Sequence, residues 1–240
     1  MRTSYKNNRD QLLEIKAGQT GHGLLIEHDG HIIGKKDTIN QIKEDINNHH
    51  QFVIPDEFIV SAVFQKYGIK NANGRIYPEN ILKREVQNYL ENQVANRCAI
   101  GALDHPASST LSGHDVTHNI LDLRWEGRTL VGEMKLHLSP GYKRYGICST
   151  SGDLVANLII DDILIGVSSR AVGSVEEKYG DLIVGDDLEL VGWDVVIENS
   201  TPGAKIGRNM EELQQYIESE NHKKLPLISE KLQKINKILL

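Results

Sequence analysis

Short apolar segments separated by turn residues fill the chain from Glu57 to residue 197. Several are rich in β-branched and aromatic residues, which is typical of buried strands. One segment alternates apolar and polar residues before the turn at Glu126 and Gly127, which predicts one arm of a hairpin. The pattern predicts strands at residues 58–64, 98–103, 121–125, 130–136, 163–172 and 188–197.

Helical periodicity occurs in fewer places. Between residues 78 and 94 the apolar side chains recur on one face, and residues 150–153 carry a helix-start signal before an apolar stripe. Residues 211–220 and the amphipathic stretch after Pro226 predict two helices near the C-terminus. Because strands dominate the centre without a regular βαβ alternation, we predict an α+β fold, a mixed sheet or barrel with helices around it.

Changes in this pattern divide the chain into three parts. Residues 1–55 mix short apolar runs with Gly and His, which indicates an N-terminal extension. The strand-rich residues 56–206 form the predicted main domain. Residues 207–240 form a predicted helical tail. From Asn221 onward it contains five Lys and one Glu, so this part of the tail is basic.

Composition restricts the class of protein. The chain has 240 residues, of which 39% are hydrophobic and 25% charged, as expected for a soluble globular protein. The net charge of -6 argues against nucleic acid as the main partner. No apolar run approaches the roughly 18–20 residues that span a membrane, and the N-terminus lacks a signal-peptide core. The two cysteines, Cys98 and Cys148, indicate neither a disulfide framework nor a thiolate metal site, so we expect a reducing cytoplasm.

Three segments supply the groups of a serine hydrolase. His105 and Ser168 each lie near a glycine and a short apolar stretch, where a strand end would face a cleft. Asp194 lies between Trp193 and two valines, and a carboxylate in an apolar strand needs a partner. A serine hydroxyl needs a base to take its proton and the base needs an orienting group, so the three side chains fit these roles.

The residues alone leave alternatives open. Arg170 stands where the nucleophile elbow of α/β-hydrolases has its second glycine, so Ser168 and Ser169 could be strand-end serines bonded to backbone. His114 and His118 are spaced by four residues and could offer a metal two ligands from one helix face. No Glu stands where a metalloprotease helix carries its base, which favours incidental polar residues at these two positions.

Four motifs, in order along residues 58–204, carry a resemblance to a known family. The motifs are Asn-Ala-Asn-Gly-Arg-Ile-Tyr-Pro at 71–78, Gly-Ala-Leu-Asp-His-Pro at 101–106, Gly-Val-Ser-Ser-Arg-Ala-Val-Gly-Ser at 166–174, and Gly-Trp-Asp-Val-Val at 192–196 with Ser-Thr-Pro-Gly-Ala at 200–204. Together they resemble the prohead core proteases of tailed phages, which are related in fold to the herpesvirus assemblins.

The resemblance implies a serine endopeptidase that needs no cofactor or metal. It would work inside the immature capsid, in the host cytoplasm, digesting scaffold or core proteins and trimming capsid proteins. We also expect a homo-oligomer without membrane or direct nucleic-acid contacts. The implied fold is a mainly antiparallel β-barrel with surrounding helices, formed by a serine protease domain at 56–206 and followed by the helical tail.

The resemblance also implies the roles of the site residues. Ser168, the first serine of its pair, matches the nucleophile, and His105 matches the general base. Asp194 matches a family aspartate and is the expected third member, although assemblins use a second histidine there. Ser169 and Arg170 are expected at the oxyanion pocket or the substrate.

The sequence departs from the family pattern beside two motifs. Ala171 stands where family members often have Gly, which would alter the loop after the nucleophile. Ala102 and Asp104 also differ from the common choices beside the histidine. None of these changes removes a chemical group that the mechanism needs.

Proteases of this kind often cleave after an acid that has an aliphatic residue two positions before it. Leu12-Leu-Glu14 and Ile228-Ser-Glu230 have that form, so self-trimming at either end is a hypothesis. The alternative function is a non-catalytic assembly protein that keeps the fold and binds capsid or scaffold helices through the basic amphipathic tail after Pro226.

Overall fold

The computed structural model of the protein describes residues 13–33, 39–44, 57–106 and 111–197. The helices predicted at 211–220 and after Pro226 lie outside the described residues, so the helical tail stays a prediction. No helix in the described ranges is long and apolar enough to cross a membrane.

The described chain is a mixed α+β structure built on one sheet. Residues 39–44 are helical as well. The elements are β1 (Gly21–Ile33), β2 (Ile59–Lys66), β3 (Arg75–Ile76), α1 (Glu79–Tyr89), a π-helical segment (Leu90–Val94), β4 (Ile100–Ala102), β5 (Val116–Glu126), β6 (Thr129–Leu136), α2 (Pro140–Tyr145), α3 (Ser151–Ile160), β7 (Gly166–Lys178), β8 (Asp181–Val184) and β9 (Glu189–Val196).

The strands follow the order β3-β8-β7-β1-β2-β6-β5-β4, and β9 also pairs with β7. The recorded pairs are antiparallel apart from β3 with β8. The sheet curls into a half-barrel so that the β4 end approaches β9. Leu103 bridges Val195, and the Asp104 N–H donates to the Val195 carbonyl oxygen at 2.7 Å. The curl therefore brings β4, β7 and β9 together.

Several sequence predictions are confirmed. The turn at Glu126 and Gly127 joins β5 to β6 in an antiparallel hairpin. Thr150 is the N-cap of α3. Its hydroxyl accepts from the Asp153 N–H, and the Asp153 side chain accepts from the Thr150 N–H, which together form a capping box. The strands predicted at 58–64, 163–172 and 188–197 correspond to β2, β7 and β9.

Three strands were not predicted: the short strands β3 and β8, and the long strand β1. Residues 21–33, which the sequence pattern assigned to an N-terminal extension, form β1 and pair with both β7 and β2. The predicted boundary at residue 56 therefore does not separate β1 from the sheet. The reason lies in a bulge between Glu27 and Gly30, which breaks the alternation of buried and exposed residues.

An aromatic cluster fixes β9 against the rest of the core. Trp193 is fully buried, and its ring meets Phe64 of β2 at 5.3 Å and Tyr89 of α1 at 5.1 Å, both edge-on. Such edge-to-face pairs contribute about 0.5–1.5 kcal/mol each beyond the area they bury. The neighbour of Trp193 on β9 is Asp194, whose position is set by this packing.

Gly30 lets β1 pass between its two neighbours. A Cβ atom at this position would lie 2.5 Å from the Val63 carbonyl oxygen and 2.6 Å from the Val167 carbonyl oxygen. Both oxygens belong to backbone in paired strands, so neither can move without disturbing the sheet. The bulge of β1 therefore requires glycine at its end.

We predict that Gly30→Ala destabilises the protein by about 1–3 kcal/mol or more, because the added methyl group overpacks the strand crossing. Chemical denaturation of the purified chain measures this change. Gly113→Ala is the matched control, since no heavy atom lies within 4 Å of its added Cβ, and it should change stability by no more than about 0.5 kcal/mol. Equal stability of Gly30→Ala and wild type would contradict the prediction.

Candidate active site

Ser168 and Asp194 lie directly opposite each other on neighbouring strands. Ser168 belongs to β7, Asp194 to β9, and the antiparallel register pairs their Cα atoms. Directly opposite residues of an antiparallel pair point to the same face, with Cβ atoms about 5 Å apart. Both side chains are buried, with no exposed surface. The sheet therefore sets the spacing between the hydroxyl and the carboxylate.

His105 enters this face from the loop after β4. Asp104, just before it, has a φ of 58°, and its N–H is held by the Val195 carbonyl on β9. The left-handed conformation turns the chain so that the imidazole lies between the other two side chains. His105 Nε2 is 2.6 Å from Ser168 Oγ, and His105 Nδ1 is 2.9 Å from Asp194 Oδ2. The structure thus brings together the three residues that the sequence singled out.

Asp194 accepts hydrogen bonds from three parts of the fold. Oδ2 accepts from Arg170 Nε at 2.6 Å as well as facing His105, and Oδ1 accepts from the Ala102 N–H at 3.0 Å. Burial alone would raise the pKa of this carboxyl. The bonds from His105 and Arg170, the charge of Arg170 and the Ala102 N–H outweigh burial and hold the pKa of Asp194 below its ordinary value.

The two residues expected at the oxyanion pocket differ in what their side chains do. The Arg170 guanidinium is 2% exposed and bonds both oxygens of Asp194, the second through Nη2 at 3.3 Å. Ser169 lies beside Trp193 in the register, on the face of β7 opposite Ser168. Its buried hydroxyl makes no hydrogen bond within the described part of the chain.

Similarity to known proteins indicates the family of this chain. The model of the family described as prohead core protein serine protease matches residues 21–215. The prohead core protein protease of Enterobacteria phage T4 is 28% identical over 204 residues, covering 82% of this chain and 84% of the relative. The solved structure of the bacteriophage T4 capsid assembly protease superposes with a TM-score of 0.57 at 25% identity, covering 73% of this chain and 97% of that one.

The chain belongs to the prohead core protein serine protease family. Membership confirms the resemblance that the four motifs carried, and with it a protease of the prohead interior that acts in capsid maturation. The matched range begins at residue 21, where β1 begins. The family therefore includes the strand that the sequence pattern left in the extension.

A buried histidine packs against β4 in this prohead core protease. His118 has no exposed surface, and burial lowers its pKa to about 4, so the imidazole is neutral. It is the cross-strand partner of Gly101, where a Cβ would lie 2.4 Å from the ring and 2.1 Å from the Trp193 carbonyl oxygen. Glycine at 101 lets β4 approach closely enough for the Ala102 N–H to reach Asp194.

The alternative metal pair is not formed by these two histidines. His118 points into the core from β5, whereas His114 lies in an exposed turn before that strand. A spacing of four residues brings two side chains close enough to share an ion in a helix, and these two residues are not helical. Among the described residues, no group of three or more His, Cys, Asp or Glu side chains is arranged to hold a metal ion.

The hydrogen bonds made by side chains of the motif at residues 71–78 do not reach Ser168, His105 or Asp194. Instead, Asn71, Asn73, Arg75 and Tyr77 all bond the side chain of Glu27 on β1. Sequence reasoning treated this motif as a turn and did not single out Glu27. A signal was present, because four polar residues within seven positions is more than a surface turn requires.

We predict that Asp194→Asn destabilises the protein by roughly 3–5 kcal/mol near neutral pH, because it leaves Arg170 buried without its counter-charge. The folded-state pKa of Asp194 is depressed below 3.8, so the ionised carboxylate stabilises the fold above that pH. This stabilisation is lost as the pH falls through the folded pKa. The stability gap between wild type and variant should therefore narrow on acidification.

Denaturant titrations of both chains between about pH 7 and about pH 3 measure this gap. Asp181→Asn is the control, since its ion pair with Lys70 is exposed and should contribute less than about 1 kcal/mol at any pH. A gap that stays constant, or widens in acid, would show that Asp194 is not held in its ionised form.

Proposed function

We propose that this prohead core protease is a serine endopeptidase with Ser168 as nucleophile, His105 as general base and Asp194 as the third member of the triad. The observation that carries the proposal is the continuous line of two hydrogen bonds, 2.6 Å from Ser168 to His105 and 2.9 Å from His105 to Asp194. Both distances are within the reach that proton transfer requires.

Asp194 selects the tautomer that catalysis needs. Its ionised Oδ2 accepts from Nδ1–H, which leaves Nε2 of His105 as the acceptor facing Ser168 Oγ. Nε2 takes the hydroxyl proton as Oγ attacks the peptide carbonyl, and Asp194 stabilises the resulting imidazolium. The imidazolium then protonates the departing amine, and a water molecule, activated by the same imidazole, releases the acyl group from Oγ.

Arg170 acts on Asp194 in this proposal. Its two bonds to the carboxylate fix both oxygens, which leaves Oδ2 in line with the His105 ring. A side chain so engaged is not free to bind the oxyanion as well. The oxyanion role expected for Ser169 and Arg170 stays a prediction.

The substrates that we propose are the capsid and the scaffold or core proteins enclosed in the same prohead, in the host cytoplasm. The T4 relative is named a prohead core protein protease, and the solved T4 structure is titled a capsid assembly protease. We further propose that the enzyme works as a homo-oligomer and without a cofactor. Neither the triad nor the acyl transfer it performs requires a metal or an organic group.

Self-trimming is proposed for the C-terminal site only. Residues 13–15 are paired with β1: the Ile15 N–H donates to the Leu24 carbonyl, and the Leu24 N–H donates to the Leu13 carbonyl, both at 3.0 Å. Ile15 is buried in the core as well. The fold thus holds the peptide bond after Glu14 in place. Proteases cleave segments that can detach from the folded structure. Residues 228–230 lie outside the described residues.

We predict that Ser168→Ala and His105→Ala each lower the cleavage rate of capsid and scaffold proteins by at least about 1,000-fold, because members of a triad act as one unit. Gel analysis of timed digests with the purified chain measures this. Ser169→Ala, which removes only a hydroxyl on the other face of β7, should still cleave. Cleavage by Ser168→Ala with an inactive Ser169→Ala would identify the other serine as nucleophile. No cleavage by wild-type protein in assembled proheads would favour the non-catalytic assembly protein.

We also predict that wild-type chain loses residues after Glu230 while the bond after Glu14 stays intact under native conditions. Intact-mass spectrometry of wild type beside Ser168→Ala detects both events. The Ser168→Ala chain should keep its full mass. Identical termini in the two proteins would remove the self-trimming proposal, and native cleavage after Glu14 would show that residues 13–15 detach readily.

A further inference from the structure

We propose that Glu27 and the loop Asn71–Tyr77 form a positioning unit for His105, which acts through the ring of His28. This inference rests on the proposed function, since it assigns a role to residues that touch the proposed general base. The motif at residues 71–78 lies apart from the proposed triad, and its role in this inference is to hold the general base in position.

The unit is built around a buried carboxylate. Glu27 is fully buried; its Oε1 accepts from Arg75 Nη1 at 2.6 Å and from the Tyr77 hydroxyl at 2.9 Å. Its Oε2 accepts from the side-chain amides of Asn71 at 2.7 Å and Asn73 at 2.6 Å. The desolvation energy lost on burying an ion pair is about as large as the energy gained from the pairing. A contribution to stability therefore does not by itself explain why Glu27 is buried with Arg75. Four donors converging on two oxygens do fix the position of Glu27.

That position determines the bulge of β1 beside the nucleophile. Glu27 pairs with Ser169 of β7, and the pairing resumes with Gly30 opposite Val167. His28 and Asp29 therefore stand together opposite Ser168 alone. A bulge of this kind bends a strand and re-aims its side chains, and bulges are frequent beside active sites.

The loop holds both sides of this bulge. Glu27, just before it, is bonded by Asn71, Asn73, Arg75 and Tyr77 as described. Asp29, inside it, lies near the Asn71 side chain and the Ala72 backbone, which lower its pKa against the larger effect of burial that raises it to about 6. Gly30 closes the bulge against backbone oxygens on two sides. His28 is thus fixed from before and after, although it is itself only partly buried.

His28 transmits this fixed position to the triad. Its ring meets the ring of His105 edge-on, with 5.3 Å between the centroids. His105 is held by hydrogen bonds at both ring nitrogens, but those bonds do not stop the ring from rocking about the line that joins them. A second ring packed against the imidazole limits that motion, and small displacements of a catalytic group can lower rates about 100-fold.

The test uses full-length chains and the rate at which a fluorophosphonate probe modifies Ser168, with loss of fluoride. This rate needs an activated nucleophile but no knowledge of the natural substrate. All variants are compared at a temperature where thermal unfolding shows each to be folded. The variants are His28→Ala, which removes the ring, His28→Phe, which keeps an aromatic edge, and His22→Ala, an exposed histidine on the same strand, as the control.

We expect His28→Ala to slow labelling by about 10- to 100-fold. His28→Phe should recover most of the rate, and His22→Ala should match wild type. Wild-type labelling in His28→Ala overturns the inference and leaves the proposed function intact. Equal loss in His28→Ala and His28→Phe also overturns it, because the ring contact would then not be what matters. If the wild-type chain is not labelled at all, the serine mechanism itself fails, and this inference fails with it.

A double-mutant cycle tests the link between the loop and His28. Tyr77→Phe removes one hydrogen bond to Glu27 and keeps the ring, so it should slow labelling while the chain stays folded. If the loop acts through His28, combining Tyr77→Phe with His28→Ala should add no further loss to that of His28→Ala alone. Fully additive losses, or a wild-type rate in Tyr77→Phe, overturn the link.

Discussion

The carboxylate of Asp194 is the group on which the site depends, because it is the point where separate parts of the sheet meet. It accepts from the Ala102 N–H on β4, from His105 in the loop after β4, and from Arg170 on β7, while it is itself carried by β9. A buried charge is tolerated only when its lone pairs are used, and here both oxygens are bonded. The same bonds that keep the carboxylate ionised also hold β4 against β9. The chemistry of the site and the curl of the sheet therefore share one interaction.

The register between β7 and β9 explains why most side chains of the site come from strands and few from loops. Ser168 and Arg170 lie two residues apart on β7, so both point to the face on which Asp194 lies across the strand pair. Ser169, between them, points away toward Trp193 and the core. A shift of one residue in the register of β7 would exchange the faces of Ser168 and Ser169 and put Ser168, the proposed nucleophile, into the hydrophobic interior. The aromatic packing of Trp193 on β9 opposes such a shift, which makes ordinary core packing part of the active site.

The sequence predicted those parts of the fold in which local pattern and tertiary environment agree. The hairpin at Glu126 and the helix capped by Thr150 carry their signals within a few residues. The strand β1 does not, because its bulge interrupts the alternation and its buried positions include Glu27 and His31. Such polar side chains predict an exposed segment unless their partners are known. In Glu27 the partners come from a loop more than forty residues away.

The sequence predicts the chemical groups of the candidate site but not the long-range contacts between them. The three residues proposed as the triad are identified by chemical type and by the family motifs, and the structure brings them together. The place of Arg170 was not predictable, because sequence shows that an arginine follows the serines but not which carboxylate it meets. The sequence favours an incidental polar residue at His118, and this is wrong because His118 is buried behind Gly101 through the pairing of β4 with β5. In each case the missing information was a long-range contact.

The guanidinium of Arg75 has a consequence for recombinant expression. Besides Glu27 it contacts the carbonyl oxygen of Ile15, so it joins the strand-paired residues 13–15 to the polar cluster beneath β1. A shortened gene that starts at residue 21, where the family match starts, would delete that carbonyl and uncover one edge of β1. The Arg75 guanidinium would then lose one hydrogen bond, and a bond that involves a charged group contributes about 1.5–3 kcal/mol. Crystallographic or enzymological work on a trimmed chain would thus begin from a weakened enzyme, and the region before the family match should be retained.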